Sequence, residues 1–179
     1  MSDIEILQQM ISKKAKIQVS KRKIVTLTEF QETDSRVEIS GIPSSSIILK
    51  MDSFPPPEHF FACSKGECKR ADYAIIAKSG NKKRILYIEM KKTQDPEKDI
   101  IRQFKGAECV MTYCKNIAET FYNAKNFLKD YKPRFVAFYH TSIRKRKTRV
   151  DRKASKHNRP EKMLKIQWPK RMQYNHLVG

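Results

Sequence analysis

The chain has 179 residues, the length of one ordinary domain, which excludes a large multidomain assembly. Hydrophobic residues make up 39% of it, enough to form a core. Lys and Arg number 38 against 19 Asp and Glu, and the formal net charge of +19 points to a polyanionic partner, nucleic acid first and an anionic membrane surface second.

The N-terminal third predicts a helix followed by β-strands. Apolar side chains recur at helical spacing over residues 3–14, and Ser2 is placed to cap that helix. β-rich stretches at residues 23–28, 36–39 and 46–49 predict strands separated by polar turns. Residues 55–57 are all proline, which cannot continue a central strand and predicts a rigid loop leading into Phe60 and Phe61.

Residues 71–91 carry the clearest local signal, two β-type runs flanking Gly80 and Asn81. Gly at the first central position of a two-residue loop is typical of a type II′ hairpin turn. The register of such a hairpin places Asp72 opposite Glu89, and side chains two positions apart on a strand share a face. We therefore expect Asp72, Glu89 and Lys91 to converge on one solvent-facing surface. The alternate residues are expected to be core: Leu86, Ile88 and Met90.

A long amphipathic helix, a buried strand and an edge strand are predicted after the hairpin. Asp95 and Pro96 suit a helix start. After Pro133, residues 134–139 are mostly apolar, which is typical of a buried strand. Residues 163–168 alternate in character and predict an edge strand. The buried face of the helix is predicted from small or apolar residues that alternate by three and four, namely Phe104, Ala107, Met111, Cys114, Ala118 and Phe121.

Residues 144–159 contain nine Lys or Arg and one acid, so this segment supplies +8 of the net charge. Each phosphate that a basic segment neutralises releases condensed counterions, so about six to ten contacts can dominate affinity for nucleic acid at low salt. A nuclear-localisation-like or merely solubilising tract is the alternative. Trp168 and Tyr174 are expected either to stack on exposed bases or to pack in the core. The residues expected to bind phosphates are Arg144, Lys145, Arg146, Lys147, Arg149, Arg152 and Lys153.

The apolar runs are far shorter than the roughly 20 residues of a membrane-spanning helix, so we expect no membrane insertion. Residues 1–5 lack the basic and apolar regions of a secretory signal, so a cytoplasmic, reducing location is expected. The four cysteines form two pairs of C-x4-C spacing, Cys63 with Cys68 and Cys109 with Cys114, rather than the C-x2-C spacing of many zinc sites. We expect four buried free thiols, with a thiolate-bound metal as the alternative.

Asp72, Glu89 and Lys91 together suggest metal-dependent phosphodiester hydrolysis. Carboxylates bind Mg²⁺ while leaving coordination positions for water, and a metal held in this way activates water and stabilises phosphoryl charge. A neighbouring lysine could orient or deprotonate the attacking water, or neutralise charge in the transition state. The alternative is a solvated strand end, because Glu-x-Lys triplets arise often by chance in a lysine-rich chain.

Asp lies at the start of one hairpin strand and Glu-x-Lys at the end of the next, and a long helix and a buried strand follow. This order of elements resembles the PD-(D/E)XK nuclease superfamily over roughly residues 60–140. The resemblance implies an α/β (α+β) fold, a mixed β-sheet with flanking helices and a restriction-endonuclease-like core. It implies that Asp72, Glu89 and the main-chain carbonyl of Met90 hold Mg²⁺, for which Mn²⁺ is expected to substitute. It also makes Lys91 the catalytic lysine. Ala71 stands where the family often has Pro.

Two further positions follow from the resemblance. Some exonuclease-like members place a substrate-contacting Gln where Gln103 lies, although their partner Tyr is replaced by Ala107. Gln103 is therefore expected either to bind nucleic acid or to face solvent. Many members add a Glu from the first helix, for which the candidates are Glu5, Glu29 and Glu32.

The sequence thus predicts one nuclease-like domain over residues 1–179, with an N-terminal helix and strands (1–58), a catalytic core (59–141) and a basic nucleic-acid-binding segment (142–162). The expected activity is that of a Mg²⁺-dependent deoxyribonuclease, an endonuclease or an exonuclease, acting in phage defence, mobile-element processing or repair. A non-catalytic, basic nucleic-acid-binding protein is the alternative. DNA is favoured over RNA as the partner, and a homodimer would supply two sites for cutting both strands of a duplex.

Overall fold

The computed structural model describes residues 1–28, 36–91, 96–139 and 157–179. Within these ranges the chain has an α+β architecture, as predicted. The helices are α1 (Asp3–Met10), α2 (Glu97–Phe121) and α3 (Tyr174–Val178), with 3₁₀ turns at Lys13–Ala15, Met51–Ser53 and Pro160–Lys162. The strands are β1 (Lys16–Ile17), β2 (Ile24–Thr28), β3 (Arg36–Ser40), β4 (Ser45–Lys50), β5 (Tyr73–Ser79), β6 (Lys82–Lys91), β7 (Lys132–Tyr139), β8 (Leu164–Gln167) and β9 (Arg171–Gln173).

Among the described residues the strands form two sheets. The large sheet has the order β1-β4-β5-β6-β7-β8, and the small sheet has the order β2-β3-β9. In the large sheet β4, β5 and β6 are antiparallel neighbours, whereas β7 is parallel to β6 and β8 is parallel to β7. A parallel pair needs a crossover connection, and the connection from β6 to β7 contains α2.

The hairpin of β5 and β6 has the predicted register. Tyr73 pairs with Ile88 and Ser79 with Lys82, so residues 80 and 81 form a two-residue turn. Gly80 has a φ of +55°, in the left-handed region that the first central position of a type II′ turn requires. The chemistry of this turn therefore sets which residues face each other across the hairpin.

The large sheet is covered on both faces. On one face α1 and α2 pack over a core that includes Leu7, Phe104 and Phe135, the last two in edge-to-face contact at 5.3 Å. On the other face the small sheet and α3 bury the three residues of β6 that were predicted to be core: Leu86, Ile88 and Met90. Burial of both faces explains why β5, β6 and β7 are nearly continuous apolar runs.

Helix α1 begins as predicted but ends earlier. Ser2 Oγ accepts a hydrogen bond from the Glu5 N–H at 3.3 Å, and the Glu5 carboxylate accepts one from the Ser2 N–H at 2.7 Å, which is a capping box. The predicted helix reached residue 14, whereas α1 ends at Met10. The reason is that Ile11 is extended and Ser12 caps a separate 3₁₀ turn.

The ends of α2 and β7 also differ from the prediction. Phe121 was predicted to lie on the buried face but is 77% exposed, because it is the last residue of α2, beyond the final buried residue Ala118. Pro133 lies inside β7 rather than before it. In the described part of the chain β8 pairs with β7 only from Val136 onwards. The missing N–H of Pro133 therefore costs no hydrogen bond between these two strands. The short β1, β9 and α3 escape prediction because a few residues show no periodicity.

Gly106 in α2 provides a test of how closely this helix approaches the loop before β5, which comprises residues 54–72. A Cβ at this position would lie 1.6 Å from the main-chain oxygen of Lys69, which a rotamer change cannot move. Replacing Gly by Ala in an exposed helix stabilises it by about 1 kcal/mol. Here we expect Gly106→Ala to lower the free energy of unfolding by about 1–3 kcal/mol, measured by urea denaturation. Glu119→Ala, at an exposed position of α2, is the matched control and should change stability little. Equal stability of Gly106→Ala and the parent would contradict the close approach.

Candidate active site

The end of the hairpin brings two carboxylates together. Asp72 directly precedes β5, and Glu89 lies opposite it near the end of β6. The Met90 N–H donates to Asp72 Oδ2 at 2.7 Å, and the Asp72 N–H donates to Glu89 Oε2 at 3.2 Å. Each carboxylate therefore accepts a hydrogen bond from the main chain of the other strand. This reciprocal pair of hydrogen bonds orients both side chains.

Lys91 lies in the same cluster as the two carboxylates, as the sequence predicted. Its Nζ lies 3.0 Å from Glu89 Oε1 in an ion pair. The prediction that the cluster faces solvent is wrong for Glu89, whose side chain is 0% exposed, while the Lys91 side chain is 20% exposed. The reason is that Glu89 points to the same face as Ile85 and Tyr87, which α1 and α2 cover.

The surroundings of Glu89 disfavour its charge. Burial raises the pKa of this carboxyl group well above its ordinary value, and the neighbouring charge of Asp72 raises it further. The ammonium of Lys91 acts in the opposite direction but is the smaller influence. Two carboxylates beside one lysine leave excess negative charge in a poorly solvated place, which favours a bound cation or a proton.

The predicted metal ligands are compatible with a divalent cation. A carboxylate offers two oxygens with about four lone-pair sites, so the hydrogen bonds to Asp72 and Glu89 leave room for a cation. The N–H and C=O of one strand residue point to the same side of the strand, so the Met90 carbonyl is directed to the side where its N–H meets Asp72. The Met90 side chain itself is buried in the core. Hard oxygen donors of this kind suit Mg²⁺.

A third acidic ligand was predicted from the first helix. Glu5 uses its carboxylate in the capping box of α1, while Glu29 and Glu32 lie outside the described residues. Within the described ranges, no group of three or more His, Cys, Asp or Glu side chains could hold a metal ion. The described residues therefore offer two carboxylates and a main-chain carbonyl.

Lys91 also lines a cleft of about 360 Å³ beside the cluster. The cleft lies between the loop before β5 and the first turns of α2. Gln103 of α2 contributes a half-buried side chain, and its Oε1 is wholly buried without a hydrogen-bond partner among the described residues. Of the residues that line the cleft, the sequence predicted a role in the site only for Lys91 and Gln103. The complete lining is Asp52, Pro56, Glu58, Cys68, Lys69, Arg70, Lys91, Asp99 and Gln103.

The cysteines differ from the prediction of four free thiols. Cys63 and Cys68 form a disulfide, with their Cα atoms 5.3 Å apart, because the loop turns back on itself at the left-handed Gly66. Cys114 is a buried free thiol as predicted, whereas Cys109 is a free thiol but exposed. The disulfide removes Cys63 and Cys68 from any thiolate metal site.

The seven basic residues predicted to bind phosphates, between Arg144 and Lys153, lie outside the described residues. The strand that leads to them ends next to the candidate site, since Tyr139, the last residue of β7, pairs with Lys91. Of the two aromatic residues that follow the segment, Tyr174 is in the core and Trp168 is partly buried against it. Tyr174 is 5% exposed, and Trp168 packs against the same core and donates from its ring nitrogen to the Arg36 carbonyl at 3.4 Å.

No protein-family model, curated protein or solved structure matches this chain. In the part of the chain that the structure describes, no helix is both long enough and apolar enough to cross a membrane.

The raised pKa of Glu89 predicts a specific pH dependence of stability. The folded protein keeps a proton on Glu89 at pH values where the unfolded chain has lost it, so the parent should lose stability relative to Glu89→Gln as the pH rises above the ordinary value of 4.5. The relative loss of stability should begin above that pH and be complete above the folded pKa. Thermal unfolding of both proteins across this range, with divalent cations chelated, measures it.

Asp99→Asn is the control with the opposite sign. The hydrogen bond from Lys69 lowers the pKa of Asp99, so the parent should gain stability relative to this variant as the pH rises through the acidic range. Parallel pH profiles for the parent and Glu89→Gln would show that folding does not raise the pKa of Glu89.

Proposed function

We propose that this protein is a metal-dependent nuclease that hydrolyses phosphodiester bonds in DNA. The observation that carries the proposal is the cluster of Asp72, Glu89 and Lys91, two carboxylates and a lysine held within hydrogen-bonding reach at the end of one hairpin. Carboxylates that share a poorly solvated place require a cation or a proton to offset their charge, and metal-dependent phosphodiester hydrolysis requires a cation. The same residues would therefore serve both requirements.

The order of the elements supports the proposal. A helix (α1) precedes an antiparallel meander of β4, β5 and β6, and α2 then leads to β7, which is parallel to β6. Asp72 comes at the start of the middle strand of this meander and the Glu-x-Lys motif at the end of the third. This arrangement resembles the core of the PD-(D/E)XK nucleases, and the resemblance is a second, weaker support, since a fold alone does not define a function.

Asp72, Glu89 and the Met90 carbonyl would hold Mg²⁺, or Mn²⁺ in its place. When bound there, the ion supplies Lewis-acid chemistry, which polarises the phosphate and activates a water molecule. The hydrogen bonds of Asp72 and Glu89 to the opposite strands orient both carboxylates before a ligand arrives. The cover of α1 and α2 excludes bulk water from Glu89 and so strengthens the electrostatic interactions made there.

Lys91 is the part of the cluster that can reach a substrate. Its side chain is partly exposed and lines the cleft, while its Nζ is held by Glu89 Oε1. An ammonium held against a carboxylate is a hydrogen-bond donor. We therefore assign to Lys91 the roles of orienting the attacking water and stabilising the negative charge that develops on the phosphate, rather than that of a base.

The net charge of +19 supports a nucleic acid as the substrate. A non-catalytic nucleic-acid-binding protein is the second candidate, favoured by one observation. The ion pair between Glu89 and Lys91 is largely buried, and a buried ion pair can be a purely structural element. Cytoplasmic location, choice of DNA over RNA, and a homodimer stay predictions.

Isosteric removal of one carboxylate charge tests the catalytic proposal. The parent should cleave plasmid DNA with Mg²⁺ or Mn²⁺ but not with EDTA, and Asp72→Asn should be inactive because the metal ion then has one charged ligand fewer. Lys91→Met should bind Mn²⁺ like the parent, measured by calorimetry, and cleave about 10²–10³-fold more slowly.

Asp130→Asn is the matched control, because Asp130 is an exposed carboxylate that pairs with Lys83 near the turn of the hairpin and lines neither the cluster nor the cleft. It should cleave like the parent. Cleavage by Asp72→Asn at the parent rate would contradict the mechanism. A parent that binds DNA but cuts neither DNA nor RNA with any divalent ion would establish the non-catalytic alternative.

The salt dependence of binding tests the basic segment. Replacing Arg144, Lys145, Arg146 and Lys147 by uncharged residues should weaken binding almost equally for all DNA sequences, because phosphate contacts carry no base information. The slope of log K against log salt should become shallower by about 0.9 for each duplex phosphate that the variant no longer neutralises. The control removes the same charge from exposed lysines elsewhere, at Lys13, Lys14, Lys21 and Lys78. A larger loss of affinity in the control would move the DNA path to those lysines.

A further inference from the structure

The loop before β5 exposes an unusual amount of aromatic surface. Phe60 is 84% exposed, Phe61 is 48% exposed and Phe54 is 37% exposed. Among the described residues the other large hydrophobic side chains that are exposed are scattered singly, at Met1, Tyr113 and Phe121. Single exposed apolar residues need no explanation, whereas a cluster of them indicates an interaction site.

The two most exposed rings of this loop, Phe60 and Phe61, are carried by a hydrogen-bonded turn. The N–H groups of Phe60 and Phe61 both donate to the Pro57 carbonyl, at 3.1 and 3.0 Å. Residues 55–57 are prolines, whose rings restrict the backbone on the approach to this turn. The two rings contact each other edge to face with centroids 4.9 Å apart. A ring that is already ordered loses little entropy when it binds a ligand.

The turn that carries the rings is continuous with the cleft beside the candidate active site. Pro56 and Glu58, which come just before the rings, line the cleft, and so does Cys68, which the disulfide joins to Cys63 just after them. The cleft also contains Lys91. A ligand that occupies the cleft and extends beyond it towards this loop would therefore meet Phe60 and Phe61.

The charges of the cleft lining cancel. Its three acids, Asp52, Glu58 and Asp99, are balanced by Lys69, Arg70 and Lys91. The main-chain oxygens of Cys68 and Asp52 accept hydrogen bonds from Arg70, each at 3.3 Å. A lining of this kind does not select a phosphate by charge, but it offers both donors and acceptors, which is what the polar edge of a nucleobase requires.

We propose that the loop before β5 and the cleft form a binding site for an unpaired stretch of nucleic acid, in which Phe60 and Phe61 stack on bases. Stacking on exposed aromatic side chains is how single strands are held without regard to sequence, because every base has a flat apolar face. Bases within a duplex are stacked on each other and do not offer that face. The site therefore favours single strands, frayed ends and flaps over continuous duplex, and this deepens the proposed function, on which it rests.

Replacement of the two rings tests the proposal by a binding measurement made in EDTA, where no cleavage occurs. The ligands are a fluorescent single-stranded DNA, the same strand with abasic residues in place of its nucleotides, and a blunt duplex. The parent should bind the base-bearing strand more tightly than the abasic strand. The double variant Phe60→Ala and Phe61→Ala should lose about tenfold in affinity for the base-bearing strand alone. Its salt slope should be unchanged, because the rings neutralise no phosphate.

Phe121→Ala is the matched control, since it removes an equally exposed ring at the far end of α2 and should leave all three affinities unchanged. Phe60→Trp together with Phe61→Tyr should keep the preference for bases and shows that the weaker binding of the double variant is not misfolding. Equal binding of base-bearing and abasic strands by the parent would overturn the proposal. So would an equal decrease in affinity for all three ligands in the double variant, or unchanged DNA binding with an altered oligomeric state, which would make the rings a contact between protein chains.

The outcome is distinguishable from failure of the proposed hydrolysis. A parent that prefers bases but never cuts with Mg²⁺ would overturn the nuclease proposal and leave the stacking site supported. A parent that cuts through Asp72 but binds both strands equally would overturn the stacking site alone.

Discussion

Two main-chain hydrogen bonds at the end of the β5–β6 hairpin position the candidate site. They run in opposite directions, from Met90 to the Asp72 carboxylate and from Asp72 to the Glu89 carboxylate, so each strand holds the acid of the other. Their existence depends on one register, because a slip of a single residue would turn every side chain of one strand to the opposite face. The turn at Gly80 sets that register.

The second constraint is that helices cover the face on which Glu89 lies. A carboxylate at the end of an open strand would be hydrated and would behave like any surface acid. Beneath α1 and α2 it is fully buried beside Asp72, so its charge is disfavoured, and Lys91 and the Asp72 N–H offset that cost only in part. Burial thus converts an ordinary Glu-x-Lys triplet into a cluster with an unbalanced negative charge, and this imbalance is the physical basis for proposing a cation there.

The cleft depends on the contact between α2 and the loop before β5. Gly106 lets the helix approach the Lys69 carbonyl, and the salt bridge of Lys69 with Asp99 at 2.7 Å holds the first turn of α2 to the same loop. The disulfide of Cys63 with Cys68 links two residues of the part of the loop that comes just before Lys69. These contacts place the aromatic side chains, the cleft and Lys91 along one connected surface, although they come from separate parts of the sequence.

The features that rest on local chemistry could be predicted from the amino-acid sequence: the cap of α1, the register of the hairpin, the meeting of Asp72 with Glu89, and the amphipathic face of α2. Short-range geometry governs these, so one stretch of residues contains the information. Tertiary packing alone makes Glu89 buried, leaves Phe121 exposed and places Gln103 in the wall of a cleft. Each of these depends on what packs over the residue from a distant part of the chain, and burial by distant elements leaves no local pattern to find.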